Sequence, residues 1–160
     1  MPEKGAHLAI EAARRVGYRL RIAGPISNRG YFAEHVEPFL GPDVIYLGHL
    51  SQPDLAAAVG RSAAALITPQ WDEPYGLVVA ESLACGTPVV AFARGGIPEV
   101  VDESSGCLVA PDDINGLAEA VPRAVGLSRA SARARAEERC SERTMVDAYV
   151  SLYRELAGAA

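Results

Sequence analysis

The sequence predicts an α/β fold, in which helices cover both faces of a parallel β-sheet. Two observations carry this prediction. Short strand patterns alternate with helical patterns along most of the chain, and the segment 88–92 (PVVAF) is apolar throughout. Strands that alternate with helices form right-handed β-α-β crossovers, and a strand covered on both faces is apolar at every position. A chain of 160 residues is expected to form a single domain, 1–160.

The first half of the chain is predicted to contribute three strands and three helices. Apolar residues at helical spacing indicate the helices, and alternation or short apolar runs indicate the strands. Glycine–proline pairs at 24–25 and 41–42 end two of the elements. Ser51 has the pattern of a helix cap, because a proline and an acid follow it. In chain order the elements are helix 7–16, strand 18–23, helix 31–40, strand 44–47, a helix from Ser51 and strand 64–67.

The second half continues the alternation and then becomes helical. A helix is predicted to stop at Gly86, and the apolar strand follows it directly. The remaining strand is brief, and three helical patterns complete the chain. In order the elements are helix 76–85, strand 88–92, helix 98–101, strand 107–109 and helices 117–125, 130–139 and 145–156.

Ligand sites of such sheets lie beyond the carboxyl ends of the strands. Two of the loops at that edge contain glycine where the backbone must approach another group closely, Tyr75-Gly76 and Gly95-Gly96. The loops predicted there are 24–30, 48–51, 68–76 and 93–97.

Composition argues against several classes of protein. A net charge of -5 and a pI of about 5.2 disfavour nucleic-acid binding. No apolar run reaches the roughly 18 residues of a membrane span. No G-x-G-x-x-G follows a strand, which disfavours a nicotinamide dehydrogenase, and no cofactor is predicted. The histidines and cysteines lack metal-ligand spacing, so no metal site is predicted. The thiols Cys85, Cys107 and Cys140 are interpreted as reduced, in a cytoplasmic protein.

The stretch 72–81 (DEPYGLVVAE) contains a candidate anion site. If Gly76 begins a helix, the N–H groups of Gly76, Leu77 and Val78 are free and lie at the positive end of the helix dipole. Phosphate is the usual occupant of such a site. Glu73 stands just before the helix, where it is either a capping acid or a ligand contact.

Glu81 is the second acid of the same stretch. It lies within an apolar helical run, so a partly buried carboxylate is expected, and an unpaired one is costly. The helix advances about 7.5 Å from Gly76 to Glu81. A nucleotide with its phosphate at Gly76 would place its ribose hydroxyls beside Glu81. A salt bridge or cap to a neighbouring element is the alternative.

A wider set of motifs surrounds these two acids, which form an E-x7-E pattern. Taken together and in this order, they resemble the donor-binding half of the retaining GT-B glycosyltransferases, family 4 ("group 1"). The resemblance extends over most of the chain, and it implies a Rossmann-like sheet. The segments that carry it are Glu3-Lys4-Gly5, Ile22-Ala23-Gly24, Tyr46-Leu47-Gly48, Thr68-Pro69, 85–91 (CGTPVVA) and 95–100 (GGIPEV).

The resemblance also implies a role for each site residue. Lys4 would neutralise the donor diphosphate, and the 75–78 segment (Tyr75, Gly76, Leu77, Val78) would hold phosphate and sugar. Glu73 would approach the sugar hydroxyls as an electrostatic or positioning group in catalysis, and Glu81 would take the ribose. The remaining residues are Leu50 and Gly24 around the base, and Gly95 and Gly96 near the diphosphate.

The resemblance covers only the second half of such an enzyme. The amino-terminal acceptor half, a phosphate-binding arginine and the first, central strand of the sheet are expected to be absent. The missing strand would leave two edges unpaired within the sheet. Three explanations are open: the sequence is a fragment of a longer protein, another chain supplies the strand, or the sheet is rearranged. The expected ligand is a UDP-, GDP- or ADP-sugar, bound without metal.

Alternatives remain open beside a glycosyltransferase. They are a non-catalytic nucleotide-sugar-binding subunit that needs an acceptor-half partner, and a nucleotide-sugar epimerase of the same architecture. The chain could also self-associate, through an open sheet edge or through its last helix. The residues of that helix that would form an apolar stripe are Tyr149, Leu152, Tyr153 and Leu156.

Overall fold

The computed structural model describes residues 2–158, and five strands alternate there with helices, which confirms the α/β prediction. The strands are β1 Leu20–Ile22, β2 Val44–Tyr46, β3 Ala65–Ile67, β4 Val89–Phe92 and β5 Gly106–Val109. The helices are α1 Ala6–Arg15, α2 Arg29–His35, α3 Gln52–Gly60, α4 Leu77–Ala84, α5 Ile97–Val100, α6 Ile114–Val125, α7 Arg129–Cys140 and α8 Glu142–Gly158. Short 3₁₀ turns span Pro2–Lys4 and Glu37–Phe39.

The strands form two parallel sheets. β1 pairs with β2, with Leu20 opposite Val44. β3, β4 and β5 form the second sheet in that order, with Ala65 opposite Val89. Among the described residues, β1 and β3 do not pair with each other. The expectation of two unpaired edges within the sheet is therefore confirmed.

The main core lies on the two faces of β4, and every residue of that strand is fully buried. Val90 and Phe92 pack against α1 and α6. Val89 and Ala91 pack against α4 and α7. A third cluster holds α1 and α2 against β1 and β2. Helices therefore cover both faces of the sheet, as the apolar PVVAF strand predicts.

One helix is shorter than its sequence pattern indicates. The prediction was a single helix over 31–40, whereas α2 ends at His35 and a 3₁₀ turn follows. Pro38 lies in that turn and explains the break, since proline lacks an N–H group and disfavours helical geometry at the residue before it.

Arg129, the first residue of α7, ties the ends of two other helices together. Its guanidinium donates to the carbonyl oxygens of Gly60 at 2.6 Å and Ser62 at 2.8 Å, at the end of α3. It also donates to Thr87 Oγ1 at 3.1 Å, just beyond α4. These carbonyls carry the partial negative charge of a helix end, so a cation there is stabilising.

The last helix, α8, has no buried residue and carries an apolar stripe. The sequence left open whether this stripe is exposed or packs on the domain, and in the described chain it is exposed. Within residues 2–158, no helix is both long and apolar enough to cross a lipid bilayer. The residues of the stripe are Met145, Val146, Tyr149, Leu152, Tyr153 and Leu156.

Candidate functional site

The start of α4 has the geometry of an anion site. Gly76 precedes the helix in the left-handed region, with φ 86°, and no side chain caps the helix. The first helical bonds are donated by Val79 and Ala80 to the Gly76 carbonyl. The N–H groups of Gly76, Leu77 and Val78 accordingly have no acceptor among residues 2–158. Three unpaired donors at a helix end favour an anionic ligand.

The surface around this helix end is apolar and open. Leu77 is 67% exposed and Val78 49% exposed. Trp71 and Tyr75 in the preceding loop are also exposed. Exposed apolar side chains near free N–H groups are typical of a small-molecule site, where apolar contact area accompanies a few polar groups.

Glu73 lies beside this helix end and is held by two donors. Its side chain is only 15% exposed and forms an ion pair with Lys4. The indole N–H of Trp71 donates to the same oxygen, Oε1, at 3.2 Å. The Lys4 ammonium also lies 5.4 Å from the centre of the Trp71 ring, within cation–π range. The three side chains therefore form one cluster, which we call the Lys4–Glu73–Trp71 cluster.

Trp71 is a site residue that the sequence analysis missed. The sequence did contain a feature that points to Trp71, because it is the single tryptophan of the chain and lies two residues before Glu73, in a loop at the predicted ligand-binding edge. The acids and glycines of that loop carry the sequence prediction, which does not include its aromatic residue.

Lys4 reaches Glu73 because the chain before α1 is fastened to the carboxyl end of β3. The Thr68 hydroxyl donates a hydrogen bond that is shared by the carbonyl oxygens of Lys4, at 3.1 Å, and Gly5, at 2.9 Å. The Gln70 N–H donates to the Glu3 carbonyl at 2.7 Å. The backbone of Gly5 is in the left-handed region, and a Cβ at this position would overlap the Thr68 carbonyl. This glycine therefore allows the close approach that positions Lys4.

Gly95 and Gly96 support the loop that carries Glu73. The Gly96 N–H donates to the Glu73 carbonyl at 2.7 Å. A Cβ on Gly95 would lie 2.7 Å from the Glu73 nitrogen and still closer to its carbonyl oxygen. A Cβ on Gly96 would lie 3.1 Å from Tyr75 Cα. Both glycines let the loop after β4 pack on the backbone of residues 73–75.

Gly24 and Leu50 lie at the other end of the same edge. The Gly24 N–H donates to the Gly48 carbonyl at 2.9 Å, and the Tyr46 hydroxyl donates to the Gly24 carbonyl at 2.6 Å. A Cβ on Gly24 would meet nothing within 4 Å, so space is open there. Leu50 is half-buried in the loop after β2.

One cavity of about 730 Å³ joins some of the predicted residues and leaves others outside. Its lining includes Lys4, Gly24, Glu73, Gly76 and Val78. The predicted residues that do not line it are Leu50, Tyr75, Leu77, Glu81, Gly95 and Gly96. Tyr75 turns towards α7, where hydrogen bonding to the Cys140 thiol, together with burial, raises the pKa of its hydroxyl.

The expected partial burial of Glu81 is wrong, because its side chain is exposed. The buried residues of α4 are Val79, Ala80, Ser82 and Leu83, whereas Leu77, Val78 and Glu81 of the same helix are exposed. Glu81 forms no salt bridge with any residue of 2–158. Its carboxylate is therefore open to a ligand that lies along α4.

Comparison with known proteins identifies the class that this fold and site define. Residues 1–143 match the family model of the glycosyl transferases group 1. The chain therefore belongs to the group 1 glycosyl transferase family, which confirms the resemblance drawn from the sequence.

Relatives and solved structures agree with this assignment. The chain is 33% identical over 96% of its length to a D-inositol 3-phosphate glycosyltransferase of Mycobacterium avium, covering 39% of that protein. It superposes over its full length on sucrose-phosphate synthase of Thermosynechococcus elongatus, with a TM-score of 0.81 and 28% identity, covering 44% of that chain. Anabaena HepE, solved with UDP-glucose, gives a TM-score of 0.81 at 22% identity, with 97% of this chain and 46% of that one covered. The chain thus spans less than half the length of these relatives.

Proposed function

We propose that this domain binds a nucleoside-diphosphate sugar at the carboxyl edge of its sheet, for retaining, metal-independent glycosyl transfer. The observation that carries the proposal is the set of free N–H groups at Gly76, Leu77 and Val78, next to the Lys4–Glu73–Trp71 cluster. A helix end and a lysine together supply the positive charge that a diphosphate needs. The acceptor and the sugar are not specified by these residues.

The Lys4–Glu73 ion pair suggests how the donor engages the site. A diphosphate at the start of α4 competes with Glu73 for the Lys4 ammonium. As Lys4 turns towards phosphate, the Glu73 carboxylate becomes available to accept hydrogen bonds from the sugar hydroxyls. Glu73 then positions the sugar and stabilises charge next to it, while the departing phosphate assists the acceptor on the same face of the sugar. The Trp71 indole N–H keeps Glu73 in place throughout.

The nucleoside extends from the phosphate along α4. Glu81 lies about 7.5 Å along the helix from Gly76, and its exposed carboxylate can accept hydrogen bonds from two ribose hydroxyls. Gly24 and Leu50 border the space for the base. The complex of HepE with UDP-glucose makes that donor the first one to test.

Calorimetric titration of the purified chain with UDP, GDP, ADP and UDP-glucose, with and without magnesium, tests the proposal. Fluorescence of Trp71 supplies a second signal from inside the site. We expect one diphosphate to bind independently of magnesium. Glu81→Gln should weaken the binding of UDP and of UDP-glucose equally, by about tenfold or more, because it removes hydrogen bonds to a charged carboxylate. Glu73→Gln should weaken UDP-glucose more than UDP.

Glu119 provides a matched control. It is an exposed glutamate on α6, far in sequence from the site, and Glu119→Gln should leave all four affinities unchanged. A folded chain that binds none of the ligands would contradict the proposal. So would unchanged affinities in both site variants.

A non-catalytic binding subunit is the second candidate, and the exposed stripe on α8 favours it. Such a subunit binds the donor but transfers no sugar until an acceptor-half partner covers the stripe. Measuring sugar transfer and hydrolysis by the chain alone separates the two functions. An epimerase gains no support from the described site. The cytoplasmic location stays a prediction.

A further inference from the structure

Asp112 holds a backbone conformation that is unusual for its residue type. It lies in the turn between β5 and α6 with φ 65°, and among residues 2–158 it is the one non-glycine residue with a positive φ. The chain enters α6 directly after it, where Asp113 caps the helix. Glycine would adopt the same conformation without strain. Because strained residues cluster at functional sites, the Asp112 side chain points to a role beyond the turn itself.

The Asp112 carboxylate joins two other loops of the same sheet edge. Its Oδ2 accepts from Arg94 Nη2 at 2.9 Å, in the loop after β4. Its Oδ1 accepts from Gln70 Nε2 at 3.2 Å, in the loop after β3. We call this arrangement the Asp112 bridge. Since Asp112 itself follows β5, the bridge connects the loops that follow all three strands of the second sheet.

One arm of the Asp112 bridge reaches Glu73 through the backbone. Gly95 and Gly96 come directly after Arg94, and the Gly96 N–H donates to the Glu73 carbonyl at 2.7 Å. The two segments are so close that a Cβ on Gly95 would lie 2.7 Å from the Glu73 nitrogen. A displacement of Arg94 is therefore transmitted to the backbone of Glu73.

The other arm reaches the two donors that hold the Glu73 carboxylate. The Gln70 N–H donates to the Glu3 carbonyl at 2.7 Å, and the next residue, Lys4, forms the ion pair with Glu73. Trp71 follows Gln70 and donates to the same carboxylate at 3.2 Å. Both arms thus end at Glu73, and the contacts form a closed ring around it.

Arg94 depends on Asp112 for its charge balance. Its side chain is mostly buried, and within residues 2–158 Asp112 is its one ion-pair partner. Its Nε is buried and has no hydrogen-bond partner in that part of the chain. A buried cation without an anion is costly, so loss of the Asp112 carboxylate favours movement of Arg94 towards solvent. Asp112 itself is exposed, and an exposed ion pair contributes little to overall stability.

We propose that Asp112 is a positioning residue of the donor site. Through Arg94 it holds the backbone of Glu73, which the sugar contacts, and through Gln70 it holds the segment of Lys4, which the diphosphate contacts. It touches no ligand itself. This inference rests on the proposed function and adds to it a residue on a third loop.

The variant Asp112→Gly tests the proposal, because it keeps the left-handed backbone and removes the carboxylate. We expect its Tm to differ from that of the parent by less than about 4 °C, since relief of strain offsets the loss of an exposed ion pair. The emission of Trp71, the single tryptophan, should shift in the free chain as Glu73 moves. The affinity for UDP-glucose should fall by about tenfold. That for UDP should fall less, because UDP lacks the sugar that Glu73 contacts.

Three further variants examine the route and the specificity of the effect. Arg94→Met removes the guanidinium and should also weaken UDP-glucose, and the double variant should bind no more weakly than Asp112→Gly, because both changes break one connection. Asp112→Asn tolerates the left-handed backbone and keeps one acceptor oxygen, so it should retain part of the affinity. Asp147→Asn is the control: it neutralises an exposed aspartate of α8 that pairs with Arg143, and it should change neither the emission nor the affinities.

The results separate this inference from the proposed function. A parent chain that binds no donor overturns the proposed function and, with it, a role for Asp112 at a donor site. If the parent binds UDP-glucose and Asp112→Gly binds it equally well, the inference alone is overturned. An unchanged Trp71 emission in Asp112→Gly also overturns it. So does a larger loss of Tm with equal weakening of UDP and UDP-glucose, which makes Asp112 a purely structural residue. Losses that multiply in the double variant would show that Arg94 and Asp112 act independently, against the proposed bridge.

Discussion

Replacing Gly95 by alanine should destabilise the protein and disturb Glu73 at the same time. Gly95 has φ 55°, and an alanine in this left-handed region costs about 1–2 kcal/mol. The new Cβ would also lie 2.7 Å from the Glu73 nitrogen, so the loop after β4 must move. Movement breaks the bond from the Gly96 N–H to the Glu73 carbonyl, worth about 1 kcal/mol. We therefore expect the free energy of unfolding to fall by about 2–3 kcal/mol.

Urea unfolding followed by far-ultraviolet circular dichroism measures this change. Gly41→Ala is the matched control, because Gly41 has no positive φ and its Cβ would meet nothing within 4 Å. The control should change the free energy of unfolding by less than about 1 kcal/mol. Titration of Gly95→Ala with UDP-glucose should also show weaker binding, since Glu73 is displaced. If Gly95→Ala and Gly41→Ala have the same free energy of unfolding, the loop after β4 does not pack on Glu73 as described.

Two further predictions concern stability. Arg129→Lys removes the planar guanidinium that joins the ends of α3 and α4, so it should lower the free energy of unfolding by about 1–3 kcal/mol. The control is Arg143→Lys, which should leave that free energy unchanged because the side chain of Arg143 is 92% exposed. Asp102→Asn tests a pH effect: burial raises the pKa of Asp102, but hydrogen bonds from Ser104 and Ser105 and a guanidinium of α7 outweigh it, so the pKa lies below its usual value. Because the pKa is lower in the folded state, the ionised carboxylate stabilises the fold above about pH 4. This stabilisation is lost as the pH falls through the folded-state pKa. In thermal unfolding the variant should therefore be less stable than the parent by about 1 kcal/mol at pH 7, after allowance for solvent screening, and this difference should disappear as the pH falls below the folded-state pKa of Asp102.

Sequence periodicity was sufficient for the order and type of the elements, because strand and helix patterns are local. The start of α3 illustrates this, since the Ser51 side chain accepts from the Asp54 N–H as its capping pattern predicts. The shortened α2 shows the limit of periodicity: the pattern continues through Pro38, but the backbone cannot.

The candidate site was only partly predictable, because it depends on contacts between distant segments. Gly76 and its free N–H groups follow from a local pattern, so the sequence indicates them. The burial of Glu81 depends on whether another element covers α4, and no spacing within the helix contains that information. The partners of Glu73 are equally non-local, since Lys4 lies 69 residues away along the chain. Trp71 lies only two residues before Glu73, so a contact between them could have been inferred from the sequence. An aromatic residue in a loop has many possible roles, however.

The Lys4–Glu73 pair also explains how a site for an anion can contain an acid. A mostly buried carboxylate without a partner is costly, and Lys4 with Trp71 removes that cost while the site is empty. In the complex that we propose, Lys4 would exchange one anion for another, and the sugar hydroxyls would replace Lys4 at Glu73. Binding would then redistribute existing charge pairs and leave no carboxylate unpaired. Because Thr68 fastens the backbone of Lys4 to the end of β3, the proposed exchange would depend on the position of β3.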